Sequence, residues 1–486
     1  MEACHLSRAA LLLVAITPLA SESHSTDLIT WPTSFNEVAQ TEKAEITPES
    51  AEQLKTEISK NNQAEMPRSQ LVTVVTEQTY AKRHLFTISE AVQLAMSWHP
   101  VIKRAEREYA QSIESTNEAK AGWYPSLSAR VKSGLEQNNN SHEEIKSNTL
   151  ELNASQVLYD FGKISRKIDL ADTATYRARS NLDKSVNDIA YETAKSFVQA
   201  IHYQLLIDVA RLQVKGLDDI NRLAEKRAIQ GASAESDYSQ SKVRLAAAIA
   251  MMHDYEAQSY RWNSVLDNVT NASISTSLNT YIPKTMDAVC SRVDMENLTS
   301  PAIELAQEQI NMAKVQVNAF KAEYYPTISI NPTWEYELEN RDDNRGNRAK
   351  KGEWGIFLNV SAPIYEGGAR MSRTQQAEQA LLASQFNLDT EKTEARRKIA
   401  ESRSQITSLN ESMTAKQLRE KEAIRTRDLY KLQYLELGNR SFSDLLSAES
   451  EIHQTRMDIL NSQYTITTLL IDCLYYSGNL TRYFSQ

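Results

Sequence analysis

The stretches "LYDFGKIS" (Leu158–Ser165) and "IYEGGARMS" (Ile364–Ser372) repeat one pattern within a chain of 486 residues. Each runs from an apolar residue through a tyrosine and an acidic residue into a small turn, and a basic residue then opens a long polar segment. Before each stretch apolar residues recur at every second position, and after it at every third or fourth. This change of period predicts that a β-strand ends and a long helix begins at both places.

The two stretches belong to a tandem duplication, because other landmarks also come in pairs. In each copy a helix of about six turns leads into Tyr-Pro, where the proline ends the helix and starts an extended segment. Further along, a glycine and an aspartate recur at a separation of 207 residues, from 231 to 438 and from 237 to 444. The paired landmarks are Pro100 with Pro301, Tyr124-Pro125 with Tyr325-Pro326, Gly231 with Gly438, and Asp237 with Asp444.

Four strands are predicted between the Tyr-Pro landmarks and the two opening stretches. In the first of them Leu127, Ala129 and Val131 alternate with Ser128 and Arg130. The polar connections "NNNSHEEIKS" and "ENRDDNRGNRAKKGE" join the strands into two hairpins. Strands of about ten residues with one apolar and one polar face are typical of membrane β-proteins.

After each opening stretch the apolar residues form one narrow helical stripe, as at Ile189, Phe197 and Ile201. The first such helix is predicted from about Lys163 to Arg227, which corresponds to roughly 95 Å. A turn at the following glycine then sends a return helix back. Because one narrow stripe cannot stabilise a helix of that length alone, it needs neighbouring helices, as in a coiled coil.

These strands require more than one copy of the chain if they lie in lipid. Open sheet edges are not tolerated there, and about eight strands are the practical minimum for a closed barrel. Three copies of four strands would give twelve strands around an aqueous lumen. The alternative is a soluble sandwich of the two hairpins that caps a coiled coil.

The composition excludes several function classes. The chain has only 12 Gly and 11 Pro, where average usage would give roughly three times as much glycine and twice as much proline. The net charge of -9 is mixed along the chain, with no basic stripe for nucleic acid. We find no metal-ligand spacing around the eight His residues, and neither a phosphate loop nor a nucleophile elbow. We therefore expect no enzyme, no metal and no cofactor.

The apolar run "AALLLVAITPLA" after Arg8 is too short to span a bilayer and predicts an export signal. The polar segment after it predicts a disordered or extended leader. The predicted organisation is a signal peptide at 1–20, a leader at 21–84, a first repeat at 85–290 with a β-hairpin at 125–159 and a helical hairpin at 163–268, a second repeat at 291–480 with a β-hairpin at 326–365 and a helical hairpin at 369–475, and a tail at 481–486.

The duplicated helix–Tyr-Pro–strand units, the junction words "YDFGK" and "YEGGA", and the segment "LGNRSFSDLL" resemble the TolC-like outer-membrane channel proteins of Gram-negative bacteria. The resemblance covers nearly all of 85–480. It implies a mainly α fold with membrane β: a homotrimer whose twelve-stranded outer-membrane β-barrel continues into a long periplasmic α-helical coiled-coil barrel. It also implies a periplasmic adaptor protein and an inner-membrane ABC or RND transporter as partners, with an exported protein or a drug as cargo.

The resemblance gives the repeated words a role as junctions between barrel and helical tunnel. The tyrosines would lie at the depth of an aromatic girdle, and the glycines would let the backbone change direction. The strand-to-helix junction residues are Tyr159, Gly162, Tyr365, Gly367 and Gly368, and the helix-to-strand junction residues are Pro125 and Pro326.

The resemblance also implies a gate at the periplasmic tip. Asp444 matches a position that forms an acidic ring around the axis, where carboxylates attract cations. Arg440 matches an arginine that links the inner hairpin to its neighbour, and Ser236 and Asp237 match its acceptors on the outer hairpin. The alternative for Asp444 is an ordinary solvated acid in the first turn of a helix.

Two positions depart from the gate pattern of the family. The gate tyrosine is expected at position 435, which is leucine, whereas Tyr434 comes one position earlier. The second acid of the ring would fall at Ser447, so a single ring is expected.

Two cysteines remain after the predicted cleavage, Cys290 between the repeats and Cys473 near the end of the last helix. An oxidising compartment would allow them to form a disulfide. The alternative is two buried thiols.

The predicted function is the outer-membrane exit duct of a tripartite export system. The form "YDFGK" and the lack of a lipid-attachment cysteine after the apolar run favour type I secretion of large proteins such as adhesins or toxins. Multidrug efflux is the first alternative. A secreted, non-porous coiled-coil spacer is a remote one, and a non-porous adhesin stalk is disfavoured because the chain makes two hairpins and returns.

Overall fold

The architecture is given by a computed structural model that describes residues 85–137, 144–281, 285–338 and 352–485. The predicted signal peptide at 1–20, the leader at 21–84 and the central parts of both strand connections lie outside the described residues.

The two repeats share the order helix, helix, strand, strand, helix, helix, and the second adds a π-helical turn and a short final helix. The first consists of α1 (Ile88–Trp98), α2 (Pro100–Ala121), β1 (Ser126–Gln137), β2 (Glu144–Tyr159), α3 (Lys163–Ile229) and α4 (Glu235–Thr270). The second consists of α5 (Thr285–Ser291), α6 (Pro301–Ala322), β3 (Thr327–Glu337), β4 (Gly352–Ser361), α7 (Ala369–Leu432), a π-helical turn (Gln433–Leu437), α8 (Phe442–Tyr476) and α9 (Leu480–Phe484). The predicted mainly helical chain with four strands is confirmed.

Prolines delimit the elements as expected. Pro100 and Pro301 occupy the first helical positions of α2 and α6, where a missing N–H costs nothing. Pro125 and Pro326 lie between these helices and the strands β1 and β3. The last strand ends at Ser361 rather than at 365, since Pro363 follows and cannot donate to a ladder.

The four strands form one antiparallel sheet in the order β1-β2-β3-β4. The pairing of β2 with β3 joins the two repeats, with Leu152 opposite Trp334. On β1 and β4 the apolar side chains of one face are largely exposed, among them Leu135 and Leu358. The described sheet therefore has two free edges, β1 and β4, and an uncovered apolar face.

The acidic residue of the first junction word holds the start of the helix that follows. Asp160 is buried and accepts hydrogen bonds from the backbone N–H groups of Gly162 and Ile164, as a capping residue does. Gly162 and Gly368 stand at the N-caps with φ of +90° and +86°, values that favour glycine. Tyr159 is exposed at the end of β2, and Tyr365 is exposed four residues beyond the end of β4.

The main hydrophobic core lies midway along the long helices. There α1, α5 and α9 pack against α3, α7 and α8 around fully buried side chains such as Phe197, Ile399 and Phe484. Within the described ranges, no helix is both long enough and apolar enough to cross a membrane.

Candidate pore gate

Both long helices turn back at a tip that contains a glycine in the left-handed region. We call α3 and α4 the outer hairpin and α7 and α8 the inner hairpin, after the positions that the family resemblance implies. Gly231, with φ of +68°, joins α3 to α4. After α7 the π-helical turn leads to Gly438, with φ of +63°, and α8 follows. Ser441 caps α8 by accepting a hydrogen bond from the backbone N–H of Asp444 at 3.1 Å.

Arg440 and Asp444 face each other on the inner tip. Arg440 Nη1 lies 3.5 Å from Asp444 Oδ2, and the guanidinium lies 3.8 Å from the centroid of the Tyr430 ring. Arg440 Nε is buried without a hydrogen-bond partner among the described residues. The side chain of Asp444 is 42% exposed, so it remains accessible to ions.

The outer-hairpin residues lie apart from Arg440 in this single chain. The Ser233 hydroxyl donates to Asp237 Oδ2 at 2.7 Å, and Ser236 is exposed. In the part of the chain that the structure describes, neither an ion pair nor a hydrogen bond joins Arg440 to Ser236 or Asp237. The link between hairpins stays a prediction.

Tyr434 lies inside the π-helical turn and is only 7% exposed. Its ring packs against Phe442 at 5.6 Å between centroids, and Arg227 of the outer hairpin lies 4.8 Å from its centroid. Its hydroxyl has no hydrogen-bond partner among the described residues. A π-helical turn takes up about one residue more than an α-helical turn. The match of Tyr434 to the family's gate tyrosine stays a prediction.

A buried charged cluster next to the tip was not predicted. Glu449 of α8 is 4% exposed, and its Oε2 lies 2.7 Å from Arg427 Nη1 of α7. His453 is also 4% exposed, and its Nε2 lies 3.1 Å from Glu449 Oε1. A carboxylate can only accept, so this contact requires a proton on Nε2. We call Arg427, Glu449 and His453 the buried triad.

The buried triad is seated against a glycine of the outer hairpin. A Cβ on Gly216 of α3 would lie 2.0 Å from Glu449 Oε1, so any larger residue would require the carboxylate to shift. Burial acts to raise the pKa of Glu449, but the hydrogen bond with His453 and the charge of Arg427 outweigh it and lower the pKa. Glu449 thus stays ionised while it joins both helices of the inner hairpin to the outer one.

One feature of the sequence indicated this cluster, namely Gly216 in the middle of a long helical segment. Glycine costs a helix interior about 0.5–1 kcal/mol relative to alanine, so it usually has a packing reason there. The partner of Gly216 could not be read from the stripe, because Glu449 lies in the other repeat.

The two cysteines meet in the core midway along the helices. Cys290 of α5 and Cys473 of α8 form a disulfide, with their Cα atoms 5.8 Å apart. Arg403 of α7 donates to the backbone carbonyls of Cys290 and Val293, at 2.6 and 2.8 Å from Nη2. Short helix α5 is therefore tied to both helices of the inner hairpin.

No cluster of three or more His, Cys, Asp or Glu suited to a metal ion occurs in the described ranges.

Known proteins resemble this chain over both of its repeats. The family model described as "Outer membrane efflux protein" matches residues 91–272 and 294–472. The outer membrane protein TolC of Salmonella enteritidis is 21% identical over 428 residues, which cover 81% of this chain and 82% of that protein. The alkaline protease secretion protein AprF of Pseudomonas aeruginosa is 21% identical over 187 residues, 38% of each chain. Among solved structures, CusC aligns with a TM-score of 0.68 at 16% identity, over 80% of this chain and 92% of that one.

Proposed function

The chain belongs to the outer membrane efflux protein family, and from this premise we propose that three copies form the exit duct of a tripartite export system. The family match to both repeats carries the proposal. The chain is an outer-membrane efflux channel with a periplasmic extension, and a transport protein rather than an enzyme. A periplasmic adaptor and an inner-membrane ABC or RND transporter are the proposed partners.

The sheet supports a trimeric barrel. Its free edges β1 and β4 present unpaired backbone groups, which lipid does not tolerate. Its exposed apolar side chains, such as Leu127 and Trp354, would face the acyl chains. Pairing β4 of one copy with β1 of the next satisfies both edges and closes twelve strands around a lumen.

The proposed gate is the inner tip with Asp444 and Arg440. Three copies of Asp444 around the axis would concentrate cations at the constriction. The ion pair between Arg440 and Asp444 is partly exposed and contributes about 0–1 kcal/mol by itself. Three symmetric copies of this contact, with links between neighbouring hairpins through Ser236 and Asp237, would bias a two-state tip toward closure.

The buried triad provides a second restraint on the same hairpin. Its Glu449 lies five residues beyond Asp444 on α8 and contacts α3 at Gly216. If the inner hairpin moved away from α3, the Glu449 carboxylate would lose its place against Gly216. We therefore assign the resting position of the tip to the triad as well as to Arg440.

The proposed cargo is a large protein exported by type I secretion. The junction word "YDFGK" and the partial likeness to a protease secretion protein support it. Drug efflux is the second candidate, supported by the family's description as efflux proteins. Deleting the gene separates them, because loss of proteins from the culture supernatant supports secretion and increased drug susceptibility supports efflux.

Channel formation is tested by recording conductance of the detergent-purified protein in planar bilayers. Wild type should give small, cation-selective steps, Asp444→Ala should reduce the selectivity, and Arg440→Ala should give larger or longer openings. Glu411→Gln on α7 is a control, since this exposed acid has no ion pair among the described residues. Steps unaffected by either gate variant would refute the gate, and a trimeric sample without steps would favour the non-porous spacer.

A further inference from the structure

A cavity of about 270 Å³ lies between α3, α6, α7 and α8, close to the end of α8. The cavity lies at the opposite end of α8 from the tip at Gly438. Its lining includes Lys184, Asn187, Glu391, Glu394, Tyr475 and Tyr476. The volume is slightly below that of pockets for drug-sized ligands, so it suits a smaller molecule.

Asn187 belongs to the cavity lining and carries a buried acceptor without a donor. Asn187 is 3% exposed, and its Oδ1 has no hydrogen-bond partner among the residues that the structure describes. Burying such a group without a partner costs about 1–3 kcal/mol. Positive charge in the neighbouring cavity would offset part of this cost.

The charges that line the cavity leave one carboxylate uncompensated. Lys184 pairs with Asp188 at 2.6 Å, and Glu394 pairs with Arg397 at 2.6 Å. Half-buried Glu391 makes neither an ion pair nor a hydrogen bond within the described ranges. The lining therefore carries a net negative charge at Glu391.

Two aromatic rings complete the lining. Tyr475 and Tyr476 meet nearly at right angles, at 87° with centroids 5.0 Å apart. The Tyr475 hydroxyl is held by Asp188 at 2.6 Å, which fixes its ring. Burial raises the pKa of Tyr476, and the charges of Asp472 and Glu394 raise it further against the opposing charge of Arg397, so the local field is suited to a cation.

We propose that this cavity binds a small organic cation with an alkylated ammonium group, held by Glu391 and the faces of Tyr475 and Tyr476. The carboxylate supplies the charge, and the rings supply the surface that distinguishes alkylated ammonium from a hydrated metal ion. Binding would join helices of both repeats, and it does not depend on the identity of the exported cargo.

The test is isothermal titration calorimetry of the detergent-purified full chain with choline as the probe. Its neutral isostere 3,3-dimethylbutanol serves as a shape control, and sodium chloride at equal ionic strength as a charge control. Wild type should bind choline saturably, and neither control compound should bind. Glu391→Gln should weaken choline binding by roughly tenfold or more, and Tyr476→Leu by a similar factor.

Glu411→Gln is the matched protein control, because it removes another carboxylate of α7 outside the cavity. It should bind choline as the wild type does. Tyr476→Leu tests the site independently if Glu391→Gln fails to fold. The proposal is overturned if wild type shows no saturable binding, if the neutral isostere binds equally well, or if the cavity variants bind choline like the wild type.

Discussion

Replacing Gly216 by alanine should loosen the contact between α3 and α8, although alanine is the better helix residue. A Cβ at this position would lie 2.0 Å from Glu449 Oε1 and 2.9 Å from its Cδ. The carboxylate must therefore shift, and we expect this shift to break its contacts with Arg427 and His453. The effect of the substitution therefore depends on whether Glu449 is present.

The expected magnitude follows from two opposing terms. Alanine instead of glycine stabilises a helix interior by about 1 kcal/mol. Expelling Glu449 breaks an ion pair of 2.7 Å and a hydrogen bond of 3.1 Å, and hydrogen bonds to charged groups contribute about 1.5–3 kcal/mol each. Arg427 is partly accessible to water, so we take about 3 kcal/mol for both contacts together.

Gly216→Ala should thus destabilise the contact by about 2 kcal/mol in wild type and stabilise α3 by about 1 kcal/mol in a Glu449→Ala background. Hydrogen–deuterium exchange measures both effects on peptides from 210–222 and 445–456 of the detergent-solubilised full chain. Exchange should become about thirtyfold faster in the first case and about fivefold slower in the second.

Glu451→Ala provides the matched background. Glu451 also lies on α8 and forms an ion pair, with Arg419 at 2.6 Å, but its side chain is 44% exposed and it does not contact Gly216. In that background Gly216→Ala should behave as it does in wild type. If Gly216→Ala has the same effect with and without Glu449, the two residues are uncoupled and the reasoning is refuted.

Three further predictions follow from single contacts. Tyr434→Phe should leave the free energy of unfolding unchanged or raise it by up to about 1 kcal/mol, because the hydroxyl has no hydrogen-bond partner among the described residues. A large drop in the thermal unfolding temperature would reveal a hydrogen bond that the single chain lacks. The stability that Glu449 contributes should be present above its ordinary pKa of 4.5 and be lost as the pH falls through its lowered pKa, a loss that exchange measurements should show in wild type and not in Glu449→Gln. Mass spectrometry after alkylation without reductant should find neither Cys290 nor Cys473 labelled, and Cys473→Ser should lower the unfolding temperature; two labelled thiols in the folded wild type would contradict the disulfide.

The elements of the fold could be predicted because periodicity belongs to a single segment. The helix expected from about Lys163 to Arg227 is observed as Lys163–Ile229. The position of the junctions followed from prolines and glycines, whose backbone constraints act locally. The end of the last strand was placed too late, since Tyr365 was counted with the strand although Pro363 precedes it.

The gate region was less predictable because it depends on how helices from different repeats are rotated against each other. Gly216 and Glu449 are far apart in the chain, and their contact is set by the packing of α3 against α8. The π-helical turn around Tyr434 is likewise not visible in a pattern that assumes a constant helical period. Arg440 pairs with Asp444 in the single chain. Its predicted acceptors, Ser236 and Asp237, lie on a hairpin that only an assembly of several copies would bring next to it.

The bond between Cys290 and Cys473 turns the second repeat into a covalent ring. The two cysteines are separated by 183 positions, and the ring contains α6, β3, β4, α7 and most of α8. A single cut of the backbone anywhere inside this ring opens it without releasing a fragment. A nicked molecule would therefore keep its full mass until a reductant is added, and one proteolytic event within this repeat would leave its two halves joined beside α5.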